Sequence, residues 1–203
     1  MKILCIGRNY PAHNAEMDSP PPAEPVFFMK PETALVRAGL PFFLPDFSRE
    51  VHYELELVLR ICRVGKHIQE RFAHTYYKEI GLGIDFTARD LQRECIEKGL
   101  PWERCKAFDG SGPVSGFIPL EELDNPQDIR FSLHKNGTLV QQGSSSEMIF
   151  GFDRLVAHVS SYVMLKTGDL IFTGTPAGVG PVKAGDRLEA YLENRPMMAI
   201  DVK

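Results

Sequence analysis

Glu54 and Glu56 stand one residue apart in Val51–Ile61, VHYELELVLRI, where Val51, Tyr53, Leu55, Leu57, Leu59 and Ile61 hold every second position. A strand sends alternate side chains to opposite faces. The spacing therefore predicts one continuous strand with an apolar face and an opposite face carrying His52 and the two acids. The carboxylates would sit about 6.6 Å apart along a strand that rises ~3.3 Å per residue. Two unit charges at that separation repel by about 0.6 kcal/mol in water and by about 2.5 kcal/mol at an effective dielectric near 20. Packed against a core, the pair calls for a cation, and a hard divalent ion with oxygen ligands such as Mg²⁺ or Mn²⁺ answers that need. Half exposed, the same strand simply shows two glutamates to water, and the stretch alone leaves both readings open. His52, among hard oxygen donors, reads as a packed or outer-lying histidine rather than a ligand.

Other residues able to do chemistry lie far away in the chain. Asp85 falls in Gly81–Phe86, a strand-like run with Ile84 and Phe86 on one side and the acid on the other. Arg89 and Gln92, three apart, share a face of the helix expected next. In Arg8–Met17, Pro11 suits the first position of a helical turn that puts His13 and Glu16 on one face. Ser19-Pro20-Pro21-Pro22 stops that turn, and so short a helix is marginal by itself. It looks like a lid over about residues 10–22, although in isolation it reads as a surface turn with a solvated histidine and glutamate. Lys106 alone would be a surface lysine. The loop Gly174–Gly180 lacks the phosphate-loop and dinucleotide fingerprints, but could present backbone N–H groups to an anion.

The elements that must position these groups are mainly strands. Lys2–Ile6, Pro25–Lys30, Leu170–Phe172 and the hairpins about Asn136-Gly137 and Asn194 read as β-structure, and residues 35–45 resemble a further short hairpin. Helices are expected over Glu70–Lys78, from a Thr87 cap to Lys98 before Gly99, and along Phe152, Leu155, Val156, Val159 and Val163, ending at Gly168-Asp169. Few, isolated helices among many strands argue for an α+β, mainly β fold. The 203 residues suit one domain spanning 1–203, and the net charge of −4 gives no electrostatic reason to expect nucleic acid or an anionic membrane as partner. No apolar run approaches the ~20 residues of a membrane span. Cys5, Cys62, Cys95 and Cys105 are scattered, as reduced thiols of a cytoplasmic protein would be.

Six ordered stretches carry a resemblance: GRNYPAHNAEM at 7–17, FFMKPETA at 27–34, HYELEL at 52–57, GIDFTARDLQ at 83–92, PWERCKAFD at 101–109 and TGTPAGVGPV at 173–182. Together they are similar to the fumarylacetoacetate hydrolase family, in its short single-domain branch of acylpyruvases and oxaloacetate-acting members. The resemblance implies a β-sandwich roll with a mobile N-terminal lid, and Glu54, Glu56 and Asp85 binding one Mg²⁺ or Mn²⁺. It implies a His13–Glu16 dyad on the lid, Lys106 as the active-site lysine, and Arg8, Lys30, Arg89, Gln92 and Thr175 lining or supporting a pocket for a 2-oxo acid. A homodimer is implied as well. The chain departs from many relatives at Gly112 and Glu32, which leaves the implied ligands intact but makes substrate preference less transferable.

The expected activity is metal-dependent hydrolysis of the C–C bond of acylpyruvates, giving pyruvate and a carboxylate. In that reaction Glu16 takes a proton from water and Lys106 stabilises oxyanion charge. Decarboxylation or keto–enol tautomerisation of oxaloacetate at the same metal site is the alternative. A metal-binding module without turnover is a third reading.

Overall fold

The computed structural model describes residues 1–36 and 39–203. Its architecture is α+β and mainly β. A six-stranded sheet runs in the order Val26–Lys30, Ile3–Gly7, Leu170–Phe172, Leu55–Ile61, Tyr77–Ile84, Ile118–Pro119. All its neighbours are antiparallel except Ile3–Gly7 with Leu170–Phe172. A four-stranded antiparallel sheet is ordered Arg195–Asp201, Arg187–Leu192, Arg130–Lys135, Thr138–Ser144. The main core joins the two: Leu4, Leu55, Leu57, Leu59 and Leu82 of the first share one cluster with Leu133, Ala190 and Ile200 of the second, and with Leu155, Val156 and Val159 of helix Phe152–Tyr162. No helix among the described residues is long and apolar enough to cross a membrane.

The stretch that reads as one strand over Val51–Ile61 is two. Val51–Tyr53 belongs to a small sheet between Gly180–Pro181 and Thr87–Ala88, and Leu55–Ile61 lies in the six-stranded sheet, with the break at Glu54. The facing chain breaks at the same level, between Ile84 and Thr87. Leu55 registers with Ile84, and one step further Asp85 N–H donates to Glu54 O at 2.8 Å. Both acids thus sit where two sheets part company, on the face of the strand opposite Leu55 and Ile84.

Side chains fill the ladder at that break. Leu55 N–H donates to Gln141 Oε1 at 2.9 Å, and Leu55 O accepts from Thr175 Oγ1 at 2.8 Å. Buried backbone groups need partners, and here a glutamine and a threonine supply what a neighbouring strand would. The second face of Leu55–Ile61 is buried too. Val58 packs with Ile3, Cys5, Leu170 and Phe172 in a separate cluster, so the half-exposed alternative for this strand does not hold.

Other local expectations are corrected. The run Glu70–Lys78 is helical only over Glu70–Ala73, followed by a tight turn, and Tyr77 already opens a strand whose Ile80 and Leu82 belong to the core. Helix Arg89–Lys98 does end at Gly99, in the left-handed conformation (φ 63°), but Thr87 does not cap it: Thr87 lies in a strand, and its hydroxyl accepts from Lys106. Helix Phe152–Tyr162 stops before Gly168. The hairpin over 35–45 includes two positions outside the described residues. Beyond them Phe42 bridges Val202 in parallel, so this segment joins the C-terminal strand instead of folding on itself.

Gly83 registers with Glu56, and a Cβ there would lie 2.4 Å from the Phe172 ring and 2.9 Å from Val58. Gly83→Ala is therefore expected to lower stability by about 1–3 kcal/mol through overpacking, measured as a shift in urea midpoint at unchanged m-value. An unchanged midpoint would mean that the Phe172 ring is not held in place.

Candidate functional site

Glu54, Glu56 and Asp85 are buried, and one carboxylate oxygen of each lies within 4.8 Å of the others. Three cations from three elements surround them. Lys106, on the short helix Glu103–Lys106, donates from Nζ to Glu54 Oε2 at 2.7 Å, Asp85 Oδ2 at 2.8 Å and Thr87 Oγ1 at 2.6 Å. All three ammonium protons are thereby used, so in this arrangement Lys106 holds the acids in place and has none left for an oxyanion. Arg89, at the start of its helix, sends Nη2 to Glu54 Oε1 at 2.5 Å, Nη1 to Gln92 Oε1 and Nε to His52 Nδ1 at 3.4 Å. Lys30 Nζ lies 2.8 Å from Asp85 Oδ1 and also donates to Ser111 Oγ and to the carbonyl of Lys106.

The compensation is uneven. Burial opposes ionisation of Glu54, yet Lys106 and Arg89 hold its carboxyl well below the usual carboxylate range. Burial likewise disfavours the Lys106 charge, but Asp85 and Glu54 raise its pKa above the ordinary lysine value. Glu56 has no cation in contact among the described residues. Burial, followed by the charges of Asp85 and Glu54, pushes its pKa well up, against the pull of the Gly174 N–H that reaches it at 2.7 Å. Asp85 Oδ1 is buried and makes no aligned hydrogen bond despite the nearby Lys30. An all-oxygen donor set, an under-compensated acid and an orphaned carboxylate oxygen together fit a hard divalent cation.

Over the acids lies helix Pro11–Glu16, with Pro11 at its first position as expected. His13 Nδ1 is 3.2 Å from Glu16 Oε2, and both Glu16 oxygens accept from Gly178 N–H at 3.1 and 3.2 Å. His13, Arg8, Arg89, Gln92, Lys106 and Thr175 line one cleft with the three acids. Lys30 does not line it: fully buried, it sits behind Asp85 as a counter-ion. Glu16 stands beside His13, part-exposed, rather than on the cleft wall. His52 is not among the clustered acids; its ring accepts from Arg89 and contacts Glu50 at 2.9 Å.

Several participants escaped the sequence reading. Asn9 is fully buried, its amide donating to Phe150 O and Thr173 O and accepting from Phe150 N–H, which fixes the loop that offers Gly174 to Glu56. The loop Gly174–Gly180, by contrast, has a sequence able to present backbone N–H groups to an anion, and it presents those of Gly174 and Gly178 to Glu56 and Glu16. Gly174 needs its positive φ of 99° there, and a Cβ would strike Asn9 at 2.8 Å. Gln141 holds the strand break and gives no signal in the sequence QQG. Phe28, Trp102, Ile96 and Met17 form an apolar wall of the cleft; the first two rings are 5.7 Å apart.

Comparisons with known proteins show which family and fold the chain shares. The family model described as fumarylacetoacetate (FAA) hydrolase C-terminal matches residues 2–203. The chain is 44% identical over 201 residues to oxaloacetate tautomerase FAHD1, mitochondrial, of Mus musculus, covering 99% of this chain and 91% of the mouse protein. It is 43% identical over 188 residues to oxaloacetate tautomerase YcgM of Escherichia coli (strain K12), covering 92% and 86%. Fumarylpyruvate hydrolase from Pseudomonas aeruginosa, solved in complex with Mn²⁺ and pyruvate, superimposes with a TM-score of 0.93 at 36% identity, covering all of this chain and 89% of that one.

Because the Glu56 carboxyl keeps its proton to higher pH than an ordinary glutamate, acid should compete with a bound cation and rising pH should favour it. Mn²⁺ titrated calorimetrically in buffers of different ionisation enthalpy is expected to displace up to about one proton per ion, with affinity falling up to about tenfold per unit of acidification below the Glu56 pKa. Binding with no proton release and no pH dependence would place Glu56 outside the ligand set.

Proposed function

This chain belongs to the fumarylacetoacetate hydrolase family, and we propose that it is an enzyme of small 2-oxo acids that interconverts the keto and enol forms of oxaloacetate at one divalent cation. Arg8 carries the reading. Arg8 lines the cleft and makes no ion pair with any described residue, whereas Lys30, Arg89 and Lys106 are each engaged with the acids. A substrate with a second carboxylate fits that free cation. Oxaloacetate has one, as does fumarylpyruvate, and acetylpyruvate does not, so Arg8 favours a dicarboxylic 2-oxo acid. The names of the tautomerases from mouse and Escherichia coli support oxaloacetate within that class.

Held by Glu54, Glu56 and Asp85, Mg²⁺ or Mn²⁺ would supply Lewis acidity to the keto oxygen and its neighbouring carboxylate. The remaining work falls to the chain. Arg8 binds the distal carboxylate and fixes which carbon faces the helix Pro11–Glu16. Glu16, anchored on Gly178 N–H, holds His13 at Nδ1 and leaves Nε2 to exchange a proton with the substrate carbon between the two carbonyl groups. Lys106 and Arg89 keep the acids aligned through each turnover.

A second reading is hydrolysis of an acylpyruvate to pyruvate and a carboxylate. The apolar wall of Phe28, Trp102, Ile96 and Met17 favours it by offering a place for an acyl chain, and the Pseudomonas aeruginosa fumarylpyruvate hydrolase supports it. There Glu16, with His13, would take the proton of an attacking water. Decarboxylation of oxaloacetate would use the same enolate stabilisation without that water.

Spectrophotometric assay of oxaloacetate enol-to-keto conversion should show activity abolished by EDTA and restored by Mn²⁺. Arg8→Gln should raise KM for oxaloacetate on the order of 10–100-fold, the worth of a hydrogen-bonded charge, and change acetylpyruvate turnover less than about threefold. Equal effects on both substrates, or faster acylpyruvate hydrolysis than tautomerisation in the unmodified enzyme, would favour the second reading. Glu16→Gln should lower kcat by about 10²–10⁴ while Mn²⁺ affinity, read by calorimetry, stays nearly constant; a wild-type rate would mean that Glu16 neither orients His13 nor takes a proton itself.

A further inference from the structure

The geometry points to His52 as a positioning residue that sets Arg89, and through Arg89 the carboxylate of Glu54, by presenting a bare Nδ1 lone pair. The ring sits between two groups whose roles are fixed by their chemistry. A guanidinium Nε–H can only donate, so the Nδ1 it meets at 3.4 Å must accept. A single neutral imidazole proton then belongs on Nε2, which lies 2.9 Å from Glu50 Oε1, a group able to accept it. The tautomer follows from the partners on either side.

The arrangement closes into a ring of contacts. Glu50 Oε2 accepts from Arg93 Nη2 at 2.5 Å, one turn beyond Arg89 on the same helix. The backbone oxygen of Glu50 accepts from Arg89 N–H at 2.7 Å. Strand and helix are therefore tied at two levels, with His52 as the middle link. The half-buried ring lies against the planar fork of Arg89, whose three nitrogens each meet a different acceptor, His52, Gln92 and Glu54. A planar group engaged on three sides has no rotational freedom left. Removing the acceptor at Nε frees the fork to pivot about its other contacts, and Glu54 Oε1 loses a fixed partner. The outer Glu50–Arg93 pair is exposed and cannot replace it.

The consequence for cation binding rests on the ligand role proposed above for Glu54; the consequence for Arg89 does not. Two variants separate positioning from mere packing. The amide oxygen of His52→Asn falls where Nδ1 stands, whereas His52→Leu fills the space without an acceptor. Two-dimensional NMR of the Arg89 Nε–H should show slow solvent exchange in the unmodified protein and in His52→Asn, and exchange at least about tenfold faster in His52→Leu. Mn²⁺ affinity should fall on the order of tenfold in His52→Leu, the usual effect of losing a partner behind a ligand, and return to within about threefold in His52→Asn. In an Arg89→Met background, His52→Leu should cost nothing further. Equal Arg89 Nε–H exchange in all three proteins overturns the proposal, as does an undiminished His52→Leu effect in the Arg89→Met background. If the unmodified protein binds no Mn²⁺ while the exchange pattern holds, the ligand role of Glu54 fails and the positioning of Arg89 stands.

Discussion

Three carboxylates brought together out of water impose the constraint that the surrounding structure answers. Each loses hydration and repels the other two, and in a protein interior that penalty exceeds what any single ion pair returns. Lys30, Arg89 and Lys106 meet it from three different elements, and each is itself hydrogen-bonded to a further group: Ser111, Gln92 and Thr87 respectively. Glu54 and Asp85 receive nearly all of this compensation. Glu56 receives a backbone N–H and, among the described residues, no cation, so the cluster is electrostatically lopsided, and the deficit lies where added positive charge would be most stabilising.

The fold delivers the acids by interrupting itself. A continuous ladder through Glu54 and Asp85 would commit their backbone to ordinary pairing and leave no room for a loop to approach. Instead two sheets diverge at that level, Thr175 and Gln141 replace the lost strand neighbour with a side-chain donor and acceptor, and Asn9 fixes the loop that approaches. Glycine enters where that approach is closest. Gly83 makes room for the Phe172 ring beside Val58, and Gly174 turns at positive φ against Asn9 to aim its N–H at Glu56. The cost of the break is confined to a few residues, because the strands on either side are buried on both faces.

Where local chemistry decided the outcome, the sequence was readable. The period-two apolar pattern of Val51–Ile61 placed Glu54 and Glu56 on one face, Pro11 marked a helix start, Gly99 a helix end, and Asn136-Gly137 a tight hairpin. Where a distant partner decided, it was not. Thr87 has the form of a helix cap, but the Lys106 ammonium, 19 residues on, takes its hydroxyl. Lys30 looks like a pocket lysine until Asp85 and the Lys106 carbonyl, 76 residues away in sequence, enclose it. Gln141 serves a strand 86 residues distant. No local spacing encodes such contacts. The six motifs succeeded as a set because each marks one wall of the same cleft, even where the role of a single member, such as Lys30, is structural.

This division of labour bears on how one scaffold can support both proton transfer and C–C cleavage. Both reactions need negative charge held on the same substrate oxygen, and under the proposed reading the acid cluster with its three committed cations would meet that shared demand. What remains free to differ is the rest of the cleft: Arg8 on one side, the apolar wall of Phe28, Trp102, Ile96 and Met17 on another, and the His13–Glu16 pair above. Arg8 leaves its strand at a positive φ of 61° directly before the helix that carries His13. The group that would recognise a second carboxylate is therefore coupled to the group that would move the proton. Under the proposed reading, substrate choice and reaction type are set by the same short segment, while the acids beneath it stay unchanged.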